Sequence, residues 1–137
     1  MKNIGLNTHT LLEFYLKEVR VHLELAVPVW HSGLTSKLSA DLERVQRVAV
    51  GIMLGNIPYR QGCDILGIDS LADRRLELCR RFARTTYRKS RHSELFQLKT
   101  TGQYHTRKSK EQFREHMCRT SRFFKSPLPF LTRLLNQ

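Results

Sequence analysis

Arg80, Arg84, Arg88 and Arg91 recur at steps of four and three residues. On an α-helix that spacing places their side chains in one row along one face. A row of guanidinium groups can meet successive phosphates of a nucleic-acid backbone, with binding that weakens as salt rises. Arg74, Arg75, Arg81 and Lys89 sit on the same predicted helix, and Arg107, Lys108 and Lys110 form a second basic group beyond it. These are the candidate nucleic-acid-binding residues. The competing reading is a solvated face partly neutralised by Asp73 and Glu77.

Other chemistry is sparse. Nucleotide polymerisation and metal-dependent nuclease action need clustered carboxylates to hold metal ions. Asp41, Asp64, Asp69 and Asp73 include no adjacent pair. Asp41 has a helix partner in Lys37, and Asp73 reads as a cap. There is no glycine-rich phosphate loop and no HExxH. His105, His116 and Cys118 lack the paired spacing of a zinc knuckle. The expectation is a chain with no catalytic residues, metal or cofactor.

Charge supports a polyanionic partner. The net charge is +12 over 137 residues. Through Ala83 there are 11 Lys and Arg against 9 Asp and Glu, and from Arg84 onward 13 against 3. The first part is a balanced globular composition and the second a basic extension, which favours nucleic acid over an acidic membrane surface. No apolar run is long enough to span a bilayer. The opening MKNIGLNTHT lacks the apolar core of a signal peptide. Cys63, Cys79 and Cys118 are odd in number and far apart, which fits a reducing, intracellular setting, nucleus or cytoplasm.

The elements that must position these residues are helices. Leu12, Leu16, Val19, Leu23, Ala26 and Trp30 make one helical stripe, with Glu13, Lys17, Arg20 and Glu24 on the wet side and Thr8 or Thr10 as cap. Pro28 and then Ser32-Gly33 stop or kink this helix. Leu38, Leu42, Val45, Ala49 and Ile52 mark a second helix, ended by Gly55-Asn56. A short helix near 58–66 is closed by Gly67. Ser70 to Asp73 reads as a capping box opening a third long helix, whose apolar side holds Leu71, Leu78 and Phe82, helped by Leu76, Cys79 and Ala83. Residues 97–122 read as loop or disorder, and SPLPFLTRLLNQ as a docked terminal helix. The expected fold is all-α: a small hairpin or bundle of three main helices (about 10–31, 36–54 and 71–89), a helical domain over 1–90 and a basic, partly disordered extension over 91–137. Pro28, Trp30 and Gly33 form a structural hinge, with Trp30 closing the end of the core.

LLEFYLKEVRVHLELAVPVWHSGLTSKLSADLERVQRVAVGIMLG resembles the segment that follows the catalytic core in reverse transcriptases of non-LTR retrotransposons of the jockey and CR1 kind. A helix ending in "LE-apolar-x-PVW" leads there through a turn to a helix reading "LE-x-VQ-x-x-A". LGIDSLADRRLELCRRFA is similar to the family's next phrase, and SPLPFLTRLLNQ to the usual end of such reading frames. The resemblance implies a thumb-like helical region and the extension after it, beside the primer–template duplex. The Tyr-x-Asp-Asp phrase that carries the family's catalytic carboxylates is not in this sequence. The resemblance therefore implies a fragment or remnant of an RNA-directed DNA polymerase, which contacts RNA or DNA backbone and, as a second partner, the palm of a full-length enzyme. Two alternatives stand beside it: a structural module docking on a partner protein, and an independent small DNA-binding helical protein.

Overall fold

A computed structural model describes residues 5–89, 93–99 and 112–137. Its architecture is all-α. The helices are α1 (Thr8–Phe14), α2 (Arg20–Glu24), α3 (Val27–Trp30), α4 (Ser36–Leu54), α5 (Tyr59–Leu66), α6 (Leu71–Lys89), α7 (Ser121–Phe124) and α8 (Pro127–Leu135). Among the described residues the only β pairing is one isolated antiparallel bridge, Leu98 to Phe113. The chain divides into two compact units, Met1–Val27 with Leu34–Arg75, and Pro28–Gly33 with Leu76–Gln137. The division thus runs through α6, whereas the sequence-based boundary after residue 90 falls on residues outside those described.

In the first unit α1 and α2 are joined by a π-helical turn, Tyr15–Val19. The extra residue in that turn rotates the chain after it. Arg20, just after the turn, is buried, as is Tyr15 at its start, and Glu24 is half-buried. That corrects the wet side expected of this helix, which includes Arg20 and Glu24. Asn7, and not a threonine, caps the start: its Oδ1 accepts from the His9 N–H at 3.3 Å.

α4 begins at Thr35, whose Oγ1 accepts from the Leu38 N–H at 3.2 Å, and ends at Gly55. Its ends match expectation, but its buried face does so only in part: of the expected stripe, Leu42 and Ala49 are half-buried. Gln46 and Val50 are buried, while Leu38, Val45, Val48 and Ile52 are 51%, 39%, 54% and 65% exposed. The buried polar residue draws the inward face away from the apolar stripe.

α5 packs on α4 through a glycine. A Cβ on Gly62 would stand 2.4 Å from Val50 Cγ1, so the missing side chain is what lets the two helices approach. Gly67, at φ 65°, closes α5 in the left-handed region, and Ile68 N–H reaches back to the Cys63 carbonyl at 3.0 Å. This is the Schellman arrangement that glycine favours. Ser70 then caps α6, its Oγ accepting from Asp73 N–H at 3.1 Å and donating to Asp73 Oδ2 at 2.6 Å.

The second unit contains α3 from Pro28 onward, and Pro28 stands in the first turn, where the missing N–H costs nothing. A 3₁₀ turn, His31–Gly33, follows and packs on α8, with the His31 and Phe130 rings 5.5 Å apart. Pro28, Trp30 and Gly33 thus lie in short helical turns. Trp30 is partly buried and not enclosed, unlike the core residue expected.

The segment read as loop carries a core residue, Phe113, and Phe96 just before that segment is buried as well. Tyr87 meets Phe113 edge-on at 4.7 Å between ring centroids. The Asn136 side chain clamps the Phe113 backbone from both sides, accepting from its N–H at 2.7 Å and donating to its carbonyl at 3.1 Å. The terminal helix read from SPLPFLTRLLNQ is present as α8, which buries Pro129, Leu131 and Thr132.

Candidate nucleic-acid interface

In the second unit α6 buries a stripe of small side chains, Cys79, Ala83 and Thr86. Arg81, Arg84 and Arg88 point away from that stripe and are exposed. At about 100° per residue the three lie within roughly 60° of one another around the helix. They line a shallow open concavity of about 240 Å³ together with Glu77 and Thr85. No described residue forms an ion pair or hydrogen bond with these three guanidinium groups. Their donors are therefore available to a ligand. Glu77 on the same face offsets part of the charge, leaving a cationic but not overwhelming site. Arg80 is half-buried at the edge of the row.

The row read from the sequence is thereby adjusted. Arg81 joins Arg84 and Arg88 at the concavity, while Arg91 lies outside the described residues. Arg107, Lys108 and Lys110 also lie outside them. Lys89 is the last residue of α6.

Arg74 and Arg75, in the first unit, serve packing. Arg74 donates from Nε to Glu24 Oε1 at 3.2 Å, and Glu24 also accepts from Arg20 Nε at 2.7 Å. Arg75 is fully buried and donates from Nη2 to Ser39 Oγ at 2.8 Å. A guanidinium with no solvent exposure is not a phosphate contact in this conformation. That corrects the expectation for Arg75, and Arg74 is engaged by Glu24.

Arg133, basic and helical, is also occupied: its guanidinium lies 3.8 Å from the Phe124 ring centroid and donates to the Phe124 carbonyl at 2.9 Å. A second concavity of about 470 Å³ is lined by Glu94, Leu95, Gln97, Arg114, Glu115, His116 and Met117. Its two carboxylates and one guanidinium do not suit a polyanion. Cys118 Sγ donates to the His116 carbonyl at 3.2 Å, and the described residues contain no group of three or more side chains that could hold a metal ion.

The first unit holds a chain of buried polar groups. Tyr15 hydroxyl donates to Gln46 Oε1 at 2.8 Å. Gln46 Nε2 donates to the Tyr59 hydroxyl at 3.0 Å and the Asp69 carbonyl at 2.8 Å, with Cys63 Sγ at 3.7 Å. Tyr59 in turn donates to Glu43 Oε1, which also accepts from the Leu71 N–H at 3.0 Å. Glu43 therefore satisfies one of the free donors at the start of α6. Burial pushes the Tyr15 phenol up to about 12. Burial and then the bond to Glu43 raise Tyr59 as well. Both phenols are held protonated and serve as structural groups that tie α4, α5 and the start of α6 together.

No family model, curated protein or solved structure matches this chain.

Proposed function

We propose that this protein contacts the sugar–phosphate backbone of nucleic acid through the outward face of α6. The observation that carries the reading is the trio Arg81, Arg84 and Arg88, exposed, on one face and engaged by no described side chain. Row spacing of this kind reads backbone and not sequence. The basic residues after α6 add a diffuse contribution. We further infer an origin in the thumb and post-thumb region of a non-LTR retrotransposon reverse transcriptase. The support is the order of the sequence phrases, together with the work their polar letters do. Glu24, Glu43, Gln46, Arg74 and Arg75 all fall in those phrases, and all are bonded within the first unit. On this reading the chain as given carries no polymerase activity of its own, and it acts inside the cell. Among the described residues no helix is long and apolar enough to cross a membrane.

The test is the salt dependence of binding. Replacing Arg81, Arg84 and Arg88 together by Gln keeps helix propensity nearly constant and removes only charge. Removal of one phosphate-binding cation lowers the slope of log affinity against log salt by about 0.9 on duplex DNA or about 0.7 on a single strand. The expected fall is about 2–3 units with unchanged helicity. An unchanged slope would reject the α6 face.

A second reading, a helical module docked on a partner protein, is favoured by α4. Its exposed Leu38, Val45, Val48 and Ile52 form an apolar stripe at seven-, three- and four-residue steps. Substituting Val45 and Ile52 by Gln, which adds no charge, leaves nucleic-acid binding intact under the first reading and weakens partner docking under the second.

A further inference from the structure

Phe82 is 46% exposed, although an aromatic ring on an amphipathic helix is ordinarily enclosed. Its place on α6 gives the exposure a use. Phe82 and Thr85 are three residues apart and so are neighbours on the helix surface. Thr85 lines the arginine concavity, with Arg81 four residues before it and Arg88 three after. Measured round the helix from Arg81, Thr85 lies at about 40° and Phe82 at about 100°. Guanidinium, hydroxyl and aromatic ring therefore follow one another across a continuous strip of a single helix. Among the described residues of this unit, the other exposed phenylalanines lack that arrangement: Phe124 has its face covered by Arg133, and Phe123 is not on the arginine helix.

We propose that the α6 face takes single-stranded nucleic acid, with phosphates on Arg81, Arg84 and Arg88 and an unpaired base stacked on Phe82. This rests on the backbone-contact reading above and deepens it by naming the strand state. The strip has the two parts that single-strand binding uses, a cationic track for the backbone and an aromatic surface for a base. Thr85 lies between them, where the sugar joins base to phosphate, and its hydroxyl can donate to a phosphate oxygen. A duplex offers the same phosphates but hides its base faces in the stack, so Phe82 gains nothing from it. Stacking on an aromatic ring tolerates any base, which agrees with the absence of a base-edge reader on this strip.

The experiment uses the full chain and fluorescein-labelled oligothymidylate of about 15 nucleotides, a length suited to single-strand sites. An abasic strand of equal length and a matching duplex are titrated beside it, by anisotropy across a salt series. Phe82→Leu keeps an apolar, helix-compatible side chain and removes the aromatic face. Phe82→Tyr restores that face. The expected result is that Phe82→Leu weakens oligothymidylate binding about tenfold, while abasic-strand and duplex binding and all salt slopes stay unchanged. Phe82→Tyr should bind as the parent does. Equal losses on the oligothymidylate and abasic strands, or no loss on either, overturn the stacking proposal and leave the phosphate reading standing. A parent that binds none of the three at low salt overturns both. Circular dichroism of each variant separates a missing ring from a damaged fold: Phe82→Leu that keeps parental helicity and melting while losing affinity only for the base-bearing strand supports the proposal.

Discussion

The Tyr15 hydroxyl and the Gln46 side chain meet at 2.8 Å in the interior of the first unit, and Gln46 is fully buried. Gln46 passes the connection on to Tyr59 and to the Asp69 carbonyl. A buried amide is tolerated only when its donors and acceptor are satisfied. Tyr15→Phe removes the partner of Oε1 and leaves that atom without a donor. The expected loss is about 1–3 kcal/mol, read from urea unfolding. Adding Gln46→Leu to Tyr15→Phe should cost less than the two single losses summed, because the first change has already broken their shared bond. Additive losses would show that the two side chains act independently.

Two glycines on α4 and α5 should respond in opposite directions to the same change. Gly51 is exposed, and a Cβ there meets nothing within 4 Å. Gly51→Ala should stabilise by about 1 kcal/mol through helix propensity. Gly62 faces Val50, which is itself buried, so Gly62→Ala forces the helices apart. The expected loss is about 1–3 kcal/mol, as for overpacking elsewhere. Thermal melts of both variants beside the parent check the pair, and a neutral Gly62→Ala would mean that α5 does not rest on α4 in solution.

Alkaline pH should unfold the first unit through its phenols. The ordinary tyrosine value is 10.0, and burial raises Tyr15 to about 12. A group whose folded value lies above its unfolded value holds its proton more tightly in the folded state. Its contribution is whole below pH about 10 and is lost as pH climbs towards about 12. Tyr59 acts in the same direction. The urea midpoint should be flat with respect to these groups up to pH about 9 and fall above pH about 10. Absorbance titration at phenolate wavelengths checks the cause: two of the four tyrosines should ionise late and together with unfolding. Tyr15→Phe should shallow the decline.

Element ends are legible in the sequence because they rest on local chemistry. Thr35, Gly55, Gly67 and the Ser70–Asp73 box act within a few residues of themselves, and each stands where its type predicts. Helix faces are less legible. Gln46, Arg20 and Arg75 are buried polar residues, so a rule that sends apolar residues inward misplaces the inward face of α2 and part of that of α4. The π turn at Tyr15–Val19 shifts the phase of everything after it and carries no sequence mark. Phe113 stands among polar and basic residues, and its backbone is held by Asn136, 23 positions away. Of the candidate site, Arg84 and Arg88 follow from spacing alone. Arg75 does not, since its fate is decided by Ser39 on another helix.

That packing also decides how the basic residues after α6 can be tested. Deleting everything beyond Arg91 would remove Phe96, Phe113 and Leu131, all buried in the second unit, and would confuse missing charge with missing structure. Charge substitution avoids this. Arg107, Lys108 and Lys110 replaced by Gln remove three cations while leaving those three buried positions untouched. If they contribute a diffuse electrostatic contact, affinity should fall at low salt and the salt slope should drop by less than the roughly 2–3 units expected for three fixed phosphate contacts. Combining this variant with the Arg81, Arg84 and Arg88 substitutions should lower the slope further, with the two effects adding, as expected for separate groups on one polyanion. A full slope loss from the 107–110 variant, with none from the α6 variant, would move the interface off the helix and onto the segment that follows it.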